Sequence, residues 1–193
     1  MPWEKTFDTD EALDKAMAVF WSKGYDSASL ADLIKATGVN KGSFYNAFGS
    51  KKQLFVKSLQ KYEREHRKDV LAELERLEEP KVAIISLFDE IIKQSLNDQD
   101  KKGCFIVNTA LELPKHSDDI QKAIKNSLNG TELFFQKQLE LGINSGSIPV
   151  TVDPTREAKG LLALLVGLRV LARGVFDQES LIVIKQQAEN MIQ

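Results

Sequence analysis

The chain has a single cysteine, Cys104, in 193 residues, so no intrachain disulfide can form, and the count suits a reducing compartment. It has two histidines, His66 and His116. Neither stands in a Ser/His/Asp set or at a metal-ligand spacing, and no phosphate-cradling glycine loop is present. Catalysis is therefore not expected, nor is a metal or a cofactor. No uncharged apolar run reaches bilayer-spanning length, and no basic n-region with an apolar core opens the chain, so the expected location is the cytoplasm, with no membrane partner. Internal repeats and low-complexity tracts are missing, and a hydrophobic content of 42% is that of an ordinary folded protein. The most informative absence is local. Between Leu33 and Tyr62 there is no Asp or Glu, while Lys35, Lys41, Lys51, Lys52, Lys57 and Lys61 all fall there. A chain of net charge −2 has gathered a basic segment, as a polyanionic partner requires.

What stands in and around that segment is two short helices, a tight turn and the start of a third helix. Ser29 with Asp32 makes a capping-box pattern ahead of Leu30, Leu33 and Ile34, which recur at helical spacing. Gly38 is placed to end that helix in a left-handed conformation, and Asn40 to cap a second one from Lys41 to about Ala47. Val39 and Phe44 occupy the positions of a hydrophobic staple. Two helices meeting at a four-residue turn that contains Gly form a helix-turn-helix, whose second helix enters the major groove. Lys41, Gly42 and Ser43 then face DNA. Gly42 has no Cβ to hold the backbone off a groove wall, and Ser43, Tyr45 and Asn46 supply donors for phosphates or base edges. Ser50 with Gln53 caps a third helix whose first turn, beside Lys51 and Lys52, suits a phosphate. Ser27 and Ser29 are candidates for phosphate contact or only for capping.

The run Ala36-Thr37-Gly38-Val39-Asn40-Lys41-Gly42-Ser43-Phe44-Tyr45-Asn46-Ala47-Phe48-Gly49-Ser50-Lys51 resembles the DNA-binding signature of the TetR family of bacterial repressors, and the likeness extends from about Phe7 to Leu59. It implies an all-α homodimer: an N-terminal three-helix DNA-binding domain, residues 1–52, and a larger helical domain, 53–193, for an inducer and for dimerisation. Repression of a near-palindromic operator is implied by the family alone. Asn46 and Ala47 stand where many relatives carry a His and another aromatic.

Along the rest of the chain, Met1 to Thr6 reads as an arm, with Trp3, Lys5 and Phe7 touching DNA or folding back. Asp8 and Glu11 open a first helix with Leu13, Ala16, Met17 and Phe20 on one face. A long helix is expected from residue 50 to about 78, bridging the domains, with His66 on a charged face. Pro80 opens a helix with Val82, Ile85, Phe88, Ile91 and Ile92 inward. Gly103 to Leu113 is almost wholly apolar and should be buried; within it Asn108 and Thr109 hold either an inducer or neighbouring backbone. His116, Asp118 and Asp119 have the composition of a metal cluster, but Ser117 as a cap with acids in the first turn explains the aspartates more simply. A helix to about Asn144 follows, then one opened by Asp153-Pro154, and a last from Ser180 to Ile192. Phe88, Ile92, Phe105, Asn108, Thr109, Phe134, Phe135, Gln138 and Leu165 are the candidate lining for an apolar or aromatic inducer, or else plain core. Gly160, Leu164, Gly167, Leu171, Gly174, Leu181, Ile184 and Ala188 are the candidate dimer interface, since the helix from 160 is apolar all round and the glycines recur every seven residues.

Cys104 offers a second trigger. It starts a helix, follows Lys101 and Lys102, and the Gly103-Cys104 pair resembles the electrophile-sensing branch of the TetR family; oxidation or alkylation would then release DNA. The alternative is an inert, buried thiol. A helical protein-binding adaptor is the competing class, and it has no need of a carboxylate-free basic segment.

Overall fold

Asp8 fixes the start of α1 (Thr9–Lys23) by accepting the N–H groups of Asp10 and Glu11 on Oδ1, at 2.8 and 3.2 Å. The computed structural model describes residues 7–193, so Trp3 and Lys5 lie outside the described residues. Phe7 packs near Phe48, with ring centroids 6.3 Å apart. On α1 the buried face is Ala12, Ala16, Met17 and Phe20, and Leu13 is only partly covered. Two short helices follow, α2 (Leu30–Thr37) and α3 (Lys41–Phe48), and beneath them α4 (Lys51–Glu63). Phe20, Leu33, Phe44, Phe48, Leu54 and Phe55 are sealed into one cluster. That cluster is not confined to the N-terminal helices. Phe105 and Ile106 of α7 (Phe105–Ala110) and Ile120 and Ile124 of α8 (Asp118–Ser145) complete it, so Phe55 touches Phe20 on one side and Phe105 on the other, at 4.9 and 5.4 Å.

The bridging helix differs from expectation. It runs as α4, then as a π-helical turn over Arg64–Lys68, then as α5 (Asp69–Leu74), and it stops short of residue 78. Lys61, counted above in the basic segment, is 3% exposed, and its ammonium sits among Asp10, Asp14 and Glu65 at 3.0, 3.1 and 2.9 Å. These carboxylates and their hydrogen bonds raise its pKa further above the ordinary lysine value despite burial. Lys61 pins α1 to α4 and offers nothing to a partner.

The larger core is built from α6 (Pro80–Asn97), α8, α9 (Pro154–Leu171) and α10 (Gln178–Asn190). On α6 the inward face is Ala83, Ile84, Leu87, Phe88, Ile91 and Ile92; Val82 is 51% exposed, which corrects its expected place. The helical phase is set by the Phe88 and Ile91/Ile92 contacts, and Val82 falls outside their arc. Asp153 caps α9 through Oδ1, and Asp177, three residues before Ser180, caps α10. Leu111 projects into solvent at the end of α7 rather than being buried with its neighbours. His116 is the reverse: buried, between the rings of Tyr25 and Phe55 at 5.7 and 5.9 Å, with no partner on Nδ1. His66 is exposed. Among the described residues no helix is long and apolar enough to cross a membrane.

Candidate nucleic-acid interface and effector cavity

The turn between α2 and α3 is held by backbone chemistry legible residue by residue. Ser29 Oγ accepts the Asp32 N–H at 3.1 Å while Asp32 Oδ2 takes the Ser29 N–H at 3.0 Å, a reciprocal cap. Gly38 closes α2 at φ 71°, a conformation in which a Cβ would be strained. Asn40 Oδ1 then accepts the Ser43 N–H at 2.9 Å and starts α3. Phe44 and Phe48, one turn apart, are 0% and 1% exposed. Burial worth roughly 1.5–3 kcal/mol for each ring fixes the rotation of this helix. Lys41, Gly42, Tyr45 and Asn46 are thereby left on the outer surface, with Ser43 half-covered.

The neighbouring cations behave unequally. Lys35 and Lys41 are exposed and form no ion pair among the described residues. Lys51 lies 4.6 Å from the Tyr25 ring centroid and reaches the Asp26 carbonyl at 3.3 Å, and Lys52 pairs with Asp119 of α8 at 3.1 Å. Ser50 Oγ caps α4 by accepting the Gln53 N–H at 3.1 Å. Ser27 and Ser29 are exposed, and the Ser29 hydroxyl is engaged with Asp32.

A second space lies between the bridging helix and α6 to α9: an apolar cavity of about 50 Å³. Leu71, Ile91, Val107, Leu128, Leu162 and Leu165 supply most of its wall; Tyr62, Arg67, Cys104 and Arg169 stand among its polar groups, with Glu90, Gln94, His66, Ser127 and Thr131. Only Leu165 of the nine lining candidates reaches it. Phe88, Ile92, Phe134 and Phe135 fill the main core instead, with Phe88 and Phe135 stacked at 6.0 Å. Phe105 belongs to the aromatic cluster around Trp21, Tyr62 and Phe55. Gln138 is buried outside the cavity with Nε2 unpartnered. Asn108 Nδ2 donates to the Lys102 carbonyl at 2.7 Å while its Oδ1 accepts from Arg173 Nη1 at 3.3 Å, and Thr109 Oγ1 donates to the Phe105 carbonyl at 2.8 Å, so both are engaged within the chain and neither lines the cavity. Arg67 and Arg169 were not anticipated. Arg169 had left a sign, as the lone charge in the apolar run from Gly160 to Ala172. Arg67, one charge among many, had not.

Arg67 is the centre of a polar cluster. Its Nε and Nη2 meet the Glu63 carboxylate, Nη1 donates to Thr131 Oγ1 at 2.8 Å, and Ser127 donates its hydroxyl to Glu63. Burial pulls the Arg67 guanidinium down to about 10. Tyr62, also buried, has its phenol pushed well above the ordinary tyrosine value, first by desolvation and then by the adjacent Cys104.

The proposed dimer residues separate. Gly160 lets α9 approach the chain's own C-terminal segment, since a Cβ there would lie 2.3 Å from Met191 Cε; Leu181 and Ala188 are likewise buried in the chain's own core. Gly174 lies beyond the end of α9 at φ 109°, outside any helical stripe. Leu164, Gly167, Leu171 and Ile184 are half-covered, and a Cβ on Gly167 would meet nothing within 4 Å.

Comparison with known proteins decides the family. A family described as "Bacterial regulatory proteins, tetR family" matches residues 12–57, and "Tetracyclin repressor-like, C-terminal domain" matches residues 80–185. The chain belongs to the TetR family. Among TetR-family relatives, the HTH-type transcriptional repressor ComR of Escherichia coli K12 is 33% identical over 184 residues, covering 93% of this chain and 86% of ComR. The HTH-type transcriptional repressor NemR of the same strain is 27% identical over 154 residues, covering 78% and 76%. Among solved structures, a CifR cysteine mutant complexed with 26-base-pair double-strand operator DNA superposes with a TM-score of 0.86 at 28% identity, covering 97% of this chain and 98% of CifR. Reduced NemR superposes at 0.83 and 25% identity, covering 96% and 98%. The all-α architecture with an N-terminal helix-turn-helix and a larger helical C-terminal part is that of these proteins.

Proposed function

We propose that this TetR-family chain is a cytoplasmic transcriptional repressor that binds a near-palindromic operator as a homodimer and is released by a small molecule entering the cavity beside Tyr62 and Arg67. The reading assigns no catalytic role to any residue, and it divides the chain into a DNA-binding unit through residue 52 and an effector and dimerisation unit from 53, joined by the bridging helix. The observation that carries it is the outer surface of α3. Lys41, Gly42, Tyr45 and Asn46 stand free on a helix whose rotation two buried phenylalanines fix. Dimerisation is supported by apolar surface on the last three helices, where Leu133, Leu141 and Val183 are 53%, 45% and 52% exposed beside the half-covered Leu164, Gly167, Leu171 and Ile184. Two α3 helices related by a two-fold axis then read two half-sites. Effector release follows from linkage: the cavity wall and the support beneath α3 are parts of one helix, so a ligand that prefers a shifted α4 weakens DNA binding by the same factor.

The test is binding to DNA flanking the protein's own gene across a salt titration, beside Lys41→Ala and Tyr45→Ala. Both substitutions should weaken binding, and Lys41→Ala should lower the salt slope by about one phosphate contact. Salt-insensitive behaviour with no DNA affinity would instead favour a protein-binding adaptor. Sedimentation of the wild type tests the dimer.

A second reading has its own observation. Cys104 is half-covered, lines the same cavity and lies beside the Tyr62 phenol. Alkylation there would fill the cavity covalently and act as a tethered effector. DNA release by N-ethylmaleimide in the wild type and not in Cys104→Ser would establish it.

A further inference from the structure

Two spaces in this molecule meet at one wall. The apolar cavity of about 50 Å³ and an open polar cleft of about 370 Å³ share Tyr62, His66, Gln94 and Arg169. The two guanidinium groups at the cavity differ in how far their donors are used. Arg67 already has its charge paired, bidentate on Glu63, and a third donor bonded to Thr131. Arg169 makes one hydrogen bond, from Nη2 to Gln94 Oε1 at 2.8 Å, and among the described residues it forms no ion pair. It is half-covered and rises from an otherwise apolar stretch of α9. One acid, Glu90, lines the same cavity, and both its oxygens have partners: Gln94 Nε2 donates to Oε1 at 3.0 Å, and Lys93 approaches Oε2 at 4.0 Å. On the cleft side the nearby charges are Lys102, paired with Asp100 at 3.0 Å, and Asp98, which accepts the Gly103 N–H at 2.8 Å.

A guanidinium with unused donors between an apolar space and a polar one is built to receive a planar anion, because the fork geometry matches a carboxylate and the dry side strengthens the pair. Resting on the effector reading above, we propose that the ligand is an amphipathic anion: an apolar body in the cavity and a carboxylate on Arg169 at the cleft end. A cationic amphiphile is disfavoured, since it would bring a like charge to Arg169. The size of the cavity adds a consequence. An apolar cavity of about 150 Å³ is what a single benzene ring occupies, so a space of about 50 Å³ must widen to seat a ligand body. Tyr62 and His66, on α4 and the π turn, belong to the wall that must move, and that motion is carried to the helix beneath α3.

The experiment is calorimetry on the full chain with octanoate, 1-octanol and octylammonium as probes, run beside release of bound operator DNA. The wild type should bind octanoate at least tenfold more tightly than octanol, and octylammonium most weakly. Arg169→Gln should abolish the octanoate preference and leave octanol affinity in place, and Arg169→Lys should restore part of it. Gln94→Glu is an independent variant for the case in which Arg169→Gln does not fold. It sets a carboxylate of the chain's own against Arg169 and should erase the same preference. Equal binding of octanoate and octanol, unmoved by either variant, overturns the anionic head group while leaving an apolar effector standing. If no probe binds or releases DNA, the effector reading fails and the proposal fails with it.

Discussion

Replacing Gly42 by Ala should move stability and DNA binding in opposite directions. Glycine inside a helix costs roughly 0.5–1 kcal/mol relative to alanine, and the first turn of an eight-residue helix takes the lower end of that range, about 0.5 kcal/mol. Nothing in the fold opposes the new methyl. A Cβ at residue 42 meets only Asn40 Oδ1, at 3.5 Å, an ordinary contact. For a chain of 193 residues the gain corresponds to a Tm rise of about 1–2 °C. The same methyl stands on the exposed surface of α3, where, on the proposed DNA contact, it would hold the backbone off the groove wall. An added methyl in a filled contact costs about 1–3 kcal/mol, so operator affinity should fall at least about fivefold. No charge is removed, so the salt slope should stay that of the wild type, unlike that of Lys41→Ala. Thermal melting and fluorescence anisotropy at several salt concentrations read both effects. A Gly42→Ala protein that binds DNA as tightly as the wild type, or one that melts lower, refutes the placement of this residue at the groove.

Lys61→Met keeps the volume and removes the charge; a buried pair broken on one side costs about 3–5 kcal/mol, but the three carboxylates left behind are 74%, 51% and 39% exposed and can rehydrate, so about 2 kcal/mol is expected from denaturant unfolding. Phe55→Ala opens a cavity between the DNA-binding helices and α7 and should cost about 3–5 kcal/mol, read the same way. The hydrogen bond from Lys23, then those from Ser29, hold Asp32 far below the ordinary carboxylate range. Its contribution is therefore present above that range and lost as pH falls through it toward the folded pKa. Asp32→Asn should lower Tm at pH 7, with the gap to wild type narrowing below about pH 4.

The α2–α3 turn was legible because each of its devices acts within four residues: Ser29 on Asp32, Gly38 on its own backbone, Asn40 on Ser43. The burial of Lys61 and of His116 was not legible, for the opposite reason. Of the carboxylates around Lys61 only Glu65 is a local, i,i+4 neighbour, while Asp10 is 51 positions away, and the Tyr25 ring against His116 is 91 positions away. The aromatic lining candidates lie away from the cavity because of their size. Large aromatics fill space, so Phe88, Phe134 and Phe135 became core, while the cavity lies among smaller aliphatic side chains. The glycine period failed because α9 ends at Leu171, which takes Gly174 out of the helix altogether.

The π turn at Arg64–Lys68 accommodates one residue more than an α-helix holds in the same rise. Deleting a single residue within it would let the bridging helix close into unbroken α form with the faces on either side still pointing as they do now. Chain length can therefore change by one at this point while Leu54 and Phe55 keep their place under the recognition helix and Leu71 keeps its place in the cavity wall. Elsewhere in the same helix, a one-residue change would turn everything beyond it by about 100°.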